Sequence, residues 1–179
     1  MNIRIRKETE RDYRNVEDLV QKAFQEAQFS DHSEHLLVSR LRKSNAFIAE
    51  LSLVAEKAGL LVGHILFSKV RIVNERKIVE SLALAPVAVL PEYQNKGVGK
   101  LLIREGLRIA QELGFESVIV LGHEHYYPRF GFKPARSWGI KLPFTVPEEN
   151  FMALELKEGA LDDAAGVVEY PQEFNIIGN

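Results

Sequence analysis

Val87-Ala-Val-Leu-Pro-Glu-Tyr-Gln-Asn-Lys-Gly-Val-Gly-Lys-Leu-Leu102 joins an apolar, strand-like run to an amphipathic helix through Gln94-x-x-Gly97-x-Gly99. A helix N-terminus carries N–H groups that lack intrahelical partners, and the helix dipole favours an anion there. Glycine, with no Cβ, lets such a backbone approach a phosphate closely. The spacing predicts a phosphate-bearing ligand held by Gln94 and by the main-chain amides of Asn95, Lys96, Gly97, Val98, Gly99 and Lys100. The Lys96 and Lys100 side chains add positive charge. Two other glycine signatures do not fit. A P-loop needs Ser or Thr after Gly-Lys and a glycine at position 94, where Leu101 and Gln94 stand; a dinucleotide fingerprint needs a glycine at Leu102. The turn by itself is also compatible with a helix that merely starts at a flexible bend.

Working outward, Ile78 to Val89 reads as a long strand leading into the turn, and Gly97 to Leu113 as a helix closed by Gly114. Pro86 cannot donate to a sheet ladder, so the strand is expected to be interrupted or edge-like there. The groups of Val87, Ala88 and Val89 are then available to an amide-bearing ligand arm that adds as a peptide strand would. Ser117 to Leu121 is a continuous apolar strand of the doubly buried kind. Upstream, Ile3 and Ile5 alternate with polar residues as a short strand. Thr9 is placed as the cap of a helix reaching about Gln28, and Ser30 or Asp31 as the start of a second, with Leu36, Leu37 and Leu41 buried. Phe47 to Glu56 and Leu60 to Val73 form a hairpin about Lys57-Ala58-Gly59, and Asn74 to Lys77 is another turn. Downstream, His123 to Arg129 reads as a short helix or turn, Gly131-Phe132-Lys133 opens a strand, and Phe151 to Leu156 alternates as a late strand. Residues 1–158 are expected to form one domain, with 159–179 an extended, loosely attached tail packing on it. The order strand, helices, antiparallel meander, strand–helix–strand predicts a mixed α+β domain with a parallel βαβ unit around the glycine turn.

Composition narrows the chemistry. The 179 residues carry a formal net charge of −2 with no basic block, which disfavours nucleic acid as a partner. No apolar run spans a bilayer, and Met1-Asn-Ile-Arg-Ile-Arg-Lys-Glu lacks a signal-peptide core, so a cytoplasmic protein is expected. There is no cysteine, hence no disulfide, no thiolate zinc site and no acyl-cysteine intermediate.

Val89-Leu-Pro-Glu-Tyr-Gln-Asn-Lys-Gly-Val-Gly-Lys-Leu-Leu102 resembles the acetyl-coenzyme A motif of the GCN5-related N-acetyltransferases (GNAT family). Gly114-Phe-Glu-Ser-Val-Ile-Val-Leu-Gly122 and Tyr126-Tyr-Pro-Arg-Phe-Gly-Phe132 resemble that family's second conserved block. Leu121-Gly-His-Glu-His-Tyr-Tyr-Pro-Arg-Phe-Gly-Phe132 is similar in particular to its bacterial YhbS-like branch. The likeness is strong over residues 78–134. It implies a GNAT-like three-layer fold, a mixed and mostly antiparallel sheet flanked by helices, with a central βαβ coenzyme-binding unit. It also implies acetyl transfer from acetyl-CoA, as co-substrate, directly to a primary amine of a small molecule or peptide. No metal is required, and a monomer or homodimer is expected.

By that resemblance, an N–H near Val89 polarises the thioester carbonyl. Tyr127 stands at the family's tyrosine position, contacts the coenzyme, and serves as the acid for a thiolate whose reference pKa is about 8.5. Tyr126 is the lesser candidate. An amine of pKa about 10.4 must lose a proton before attack. Glu80, on the strand entering the motif, is the best-placed carboxylate, although several members carry theirs where this chain has Ala83. Glu50 and Glu124 are rivals. His123-x-His125 has metal-ligand spacing without a third ligand nearby, and His125 is an alternative base. His64 is expected as a satisfied sheet histidine, Phe130 and Phe132 as packing residues. The loop from Lys133 to Pro147, with Trp138, either lines an acceptor pocket or covers a sheet edge. A contrasting function, a non-catalytic acyl-CoA-binding sensor or interaction module, follows from the same coenzyme motif combined with an unassigned base.

Overall fold

Sheet pairing begins at Arg4. In the computed structural model, which describes residues 2–28 and 30–175, strand β1 (Arg4–Lys7) runs antiparallel to β2 (Phe47–Lys57), in register from Arg4↔Glu56 to Lys7↔Leu53. The chain divides into two units: residues 1–67 with 85–109, and residues 68–84 with 110–179. Strands β3 (Leu60–Val73) and β4 (Ile78–Val89) each begin in one unit and end in the other.

In the first unit the hydrogen-bonded order is β1-β2-β3-β4. Ala58 and Gly59 both adopt positive φ, 49° and 83°, the signature of a tight hairpin turn between β2 and β3. A 3-10 turn (Glu10–Asp12) leads into helix α1 (Tyr13–Phe24), which buries Val16, Leu19 and Val20. Thr9 caps the turn: its N–H and Oγ1 donate to Asp12 Oδ2 at 2.8 and 3.1 Å. The helix stops at Phe24 rather than near Gln28. Gln25-Glu26-Ala27-Gln28 offers no large apolar side chain to extend the buried stripe, and the Gln25 N–H closes back on the Lys22 carbonyl at 3.4 Å. Helix α2 (Glu34–Leu41) also starts later than Ser30 or Asp31. Those residues form the preceding turn instead: Asp31 Oδ1 accepts the Ser33 N–H at 3.0 Å and its hydroxyl at 2.7 Å. Val38 and Leu41 face inward, whereas Leu36, expected as buried, is 49% exposed. It lies two positions from Val38, which on a helix is the far side.

Helix α3 (Val98–Glu112) begins in the first unit. It lies against β3 where Gly63 has no side chain. A Cβ there would meet Val98 Cγ1 and Leu102 Cδ1 at 3.0 Å, and at Gly106 it would collide with the buried Phe67 ring. The helix ends as the sequence indicates. Gly114 is left-handed (φ 91°), its N–H donates to Gln111 O at 3.1 Å and that of Phe115 to Ala110 O at 3.0 Å, a Schellman cap.

In the second unit β4 pairs in parallel with β5 (Ser117–Leu121), Leu82 opposite Val118 and Ala83 opposite Ile119. With α3 between them in the chain, these strands form the expected βαβ unit. Buried Ser81 and Ser117 share a 2.7 Å hydrogen bond between their hydroxyls. Beyond Ala83↔Ile119, β4 continues through a buried Pro86, preceded by a cis peptide bond, into the first unit. Three shorter pieces follow, β6 (Lys133–Pro134), β7 (Ile140–Lys141) and β8 (Phe151–Glu155). Strand β8 pairs antiparallel with both β5 and β6. The segment after Gly159 is not a loose tail. Leu161, Ala164 and Val168 are buried in the core that also holds Val70, Ile72, Ile119 and Ala153. Strand β9 (Gly166–Glu169) pairs antiparallel with β3 and parallel with β7. At Gly166 the Val73 carbonyl comes so close that a Cβ would not fit, at 2.5 Å. The last positions of that expected tail, 176–179, lie outside the described residues.

The architecture is thus a mixed α/β one, with a mostly antiparallel open sheet flanked by helices.

The first unit also encloses polar groups. His64, fully buried on β3, lies 3.1 Å from Ser52 Oγ and 3.7 Å from Glu8 Oε2, and among the described residues its Nδ1 has no hydrogen-bond partner. The expectation of a satisfied sheet histidine is therefore met at one nitrogen only. Arg42 donates to Glu8 at 2.6 Å and covers the Tyr13 ring at 4.0 Å. Burial, seconded by the Arg42 charge, holds the His64 pKa down at about 3. Unfolding exposes the ring and restores its ordinary value near ~6.5. The unfolded chain then binds the extra proton, so stability is intact above about pH 6.5 and falls as pH drops toward 3, by up to ~1.4 kcal/mol per unit. Asp12, held at about 2 first by its hydrogen bond from Arg6, weakens the fold only below its ordinary value of 3.8. Urea unfolding between pH 6.5 and 4.5 should therefore show a slope that His64→Gln flattens; an unchanged slope in that variant would assign it to other groups.

Candidate active site

The glycine turn is built as a platform of amides. A 3-10 turn (Pro91–Tyr93) follows β4, and the Leu90 N–H donates to Val62 O at 2.9 Å, fastening the strand end to β3. Successive N–H groups on a strand point to opposite edges, so the Val89 and Val87 N–H groups face away from β3. Asn95 (φ 62°) and Gly97 (φ 88°) are left-handed and bend the chain into α3. Among the described residues, none of the N–H groups from Asn95 to Lys100 donates to a protein acceptor. Open space surrounds the Gly97 Cα, with no atom within 4 Å of a Cβ built there. The Gln94 carboxamide donates to Val89 O at 3.0 Å and so braces the bend from within. Lys96 and Lys100 are exposed, Val98 is buried against Gly63, and Ala88 is buried on β4.

Tyr127 belongs to the second unit, at the start of a 3-10 turn (Tyr127–Phe130) that ends on left-handed Gly131 (φ 98°). Its ring is clamped by aromatic neighbours: Tyr126 at 5.2 Å and Phe132 at 5.7 Å, both edge-on, and Phe130 at 6.4 Å. Phe132 is buried and anchors the set. The Tyr127 hydroxyl makes no hydrogen bond within the protein among the described residues. Burial, and to a lesser degree Tyr126, pushes the Tyr127 pKa well above the usual phenol value, so the hydroxyl stays neutral and able to donate across ordinary pH. Tyr126 is raised by burial too, but Arg129, 4.5 Å over its ring, opposes this. Gly122 stands in the sequence motif without a role assigned to it. Any side chain there would run into the Tyr127 ring, so this glycine positions the tyrosine. Its place five residues before Tyr127 was the available signal.

The other candidates are more dispersed. Glu80 is exposed on β4 in the second unit, two residues before Leu82. Ala83 is buried in that unit's apolar core, so no carboxylate stands there. Glu50 is exposed on β2 in the first unit. Glu124 lies 3.4 Å from His125, itself 91% exposed, and His123 is exposed as well. Among the described residues no three His, Cys, Asp or Glu side chains gather as a metal set. Trp138 packs on the core of the second unit. Around it the loop does more than cover an edge. Residues including Ile140, Leu142, Phe144, Val146 and Phe151 line a cleft of about 220 Å³, with an Arg136–Glu148 ion pair of 3.0 Å beside it.

Comparison with known proteins supplies the family. Residues 6–132 match the model of the acetyltransferase (GNAT) family. The chain is 42% identical over 123 residues to the uncharacterized N-acetyltransferase YjhQ of Escherichia coli (strain K12), covering 68% of each chain. It is 33% identical over 148 residues to the uncharacterized N-acetyltransferase YhbS of the same strain, covering 82% of this chain and 86% of that one. Among solved structures, E. coli YhbS in complex with CoA matches with a TM-score of 0.87 and 29% identity, over 99% of this chain and 94% of that one. A GNAT family acetyltransferase from Brucella melitensis in complex with acetyl-CoA matches with a TM-score of 0.79 and 35% identity, over 97% and 98%. With its amide-lined bend, its clamped tyrosine and these relatives, the chain belongs to the GNAT family of N-acetyltransferases.

Proposed function

We propose that the protein transfers the acetyl group of acetyl-CoA directly to a primary amine of a small molecule or peptide, with no covalent enzyme intermediate. The observation that carries this reading is the row of uncommitted N–H groups from Asn95 to Lys100 at the start of α3. Buried N–H groups are rarely left unpaired, and an exposed row of them at a helix start complements a diphosphate. The CoA and acetyl-CoA bound in the YhbS and Brucella structures support the choice of ligand. Pairing of the pantetheine amides with the edge of β4 that faces away from β3, at Val87 and at the Val89 N–H, sets the thioester carbonyl near the Val89 N–H, which steadies the developing oxyanion. Tyr127 offers its neutral hydroxyl to the leaving sulfur. Glu80 takes the amine proton, directly or through water. With no cysteine in the chain, an acyl-cysteine step is excluded.

The test is release of free CoA from acetyl-CoA against a panel of primary amines, secondary amines and alcohols. Turnover confined to one class of primary amine is the expected result. Tight acetyl-CoA binding with no turnover on any amine would instead mark the protein as an acyl-CoA sensor.

A further inference from the structure

Beside the amide-lined bend, two lysines from separate parts of the chain converge on one tyrosine. Lys57 is the last residue of β2, and Tyr93 closes the 3-10 turn before Gln94. The Lys57 ammonium lies 5.4 Å from the centre of the Tyr93 ring, and the Lys96 ammonium 5.8 Å from it. Both distances are within cation–π range. Lys57 and Tyr93 are half-buried, while Lys96 is exposed. Among the described residues neither ammonium pairs with a carboxylate: Glu56 is engaged by Arg6 at 3.2 Å, and Glu92 makes no ion pair. The hairpin bearing Lys57 is held to this loop by the Leu90–Val62 hydrogen bond of 2.9 Å. Two like charges are thus gathered on a polarisable ring next to the amide-lined bend, and neither is ion-paired among the described residues.

We propose that Lys57 and Lys96, seated on Tyr93, bind the 3′-phosphate of the coenzyme's adenosine. This rests on the acetyl-CoA reading above and extends it to a residue outside the glycine motif. The division of labour follows from charge. A bridging diphosphate is served by converging backbone amides. A terminal phosphate monoester carries close to two charges at neutral pH and calls for ammonium groups that can close around it. The long stem of Lys57 reaches from a different strand and adds its charge to that of Lys96 at the bend.

Isothermal titration of the full chain with CoA and with 3′-dephospho-CoA tests this. The unaltered protein should bind CoA at least tenfold more tightly. Lys57→Met keeps the apolar stem and should weaken CoA about tenfold, leaving dephospho-CoA within a factor of two; Lys57→Arg should restore the preference. Thermal melting of each variant checks that the hairpin is intact. Equal affinity of the unaltered protein for both ligands would overturn this assignment while leaving the acetyl-CoA reading standing. An equal loss for both ligands in Lys57→Met would do the same. Binding of neither ligand would remove both proposals together.

Discussion

Tyr127→Phe is expected to lower kcat by about 10²- to 10⁴-fold, the range that a positioned acid–base group contributes, while the Kd for acetyl-CoA changes less than threefold. The separation of the two effects comes from the packing. The ring is held by Tyr126, Phe130 and Phe132 and by the empty space at Gly122, none of which involves the hydroxyl. Removing an oxygen with no protein partner leaves no buried group orphaned, so the fold should be nearly unaffected. The hydroxyl is neutral because burial raises its pKa. Its loss should therefore scale turnover without moving the pH at which turnover rises. Steady-state kinetics over pH 6–9 with direct coenzyme titration checks both parts. A variant with full activity would exclude Tyr127 as the donor to sulfur.

Gly97→Val is expected to raise the acetyl-CoA Kd tenfold or more. Gly97 holds φ at 88°, a region that a β-branched residue enters at a cost of about 1–2 kcal/mol. The new side chain also projects where no protein atom stands within 4 Å, on the bend from which the amides would reach a diphosphate. Gly114→Val is the matched control. Gly114 is also left-handed (φ 91°) and also open, but it caps the far end of α3. Both variants should lose comparable thermal stability, and only Gly97→Val should lose affinity. Equal affinities in the two would show that the bend does not carry the coenzyme.

Much of this architecture was legible in the residues, for physical reasons. Ser117 to Leu121 was found because its apolar run is short and bounded by polar residues. The Leu60–Val73 and Ile78–Val89 strands were found because turn residues punctuate them at Ala58-Gly59 and Asn74. Local pattern failed where a tertiary partner decides. Residues 166–169 look like an isolated apolar patch, yet β3 and β7 supply the ladder that makes them a strand. Leu36 carries the right chemistry for a core but sits on the wrong side of α2. The bend and Tyr127 were legible because glycine spacing and the Tyr-x-x-x-Gly-Phe ending are local signals. Gly122 and Lys57 were not, since each matters through a side chain or ring distant in the chain: Tyr127 in one case, Tyr93 in the other. The base has no local signature either, because a carboxylate on a strand looks the same whether it faces water or substrate.

A crystal structure of the protein with acetyl-CoA tests the central claim most directly. The account predicts diphosphate oxygens within about 3 Å of several N–H groups between Asn95 and Lys100, the distance of a charge-assisted hydrogen bond. Coenzyme bound elsewhere, with that bend left unoccupied, would contradict it.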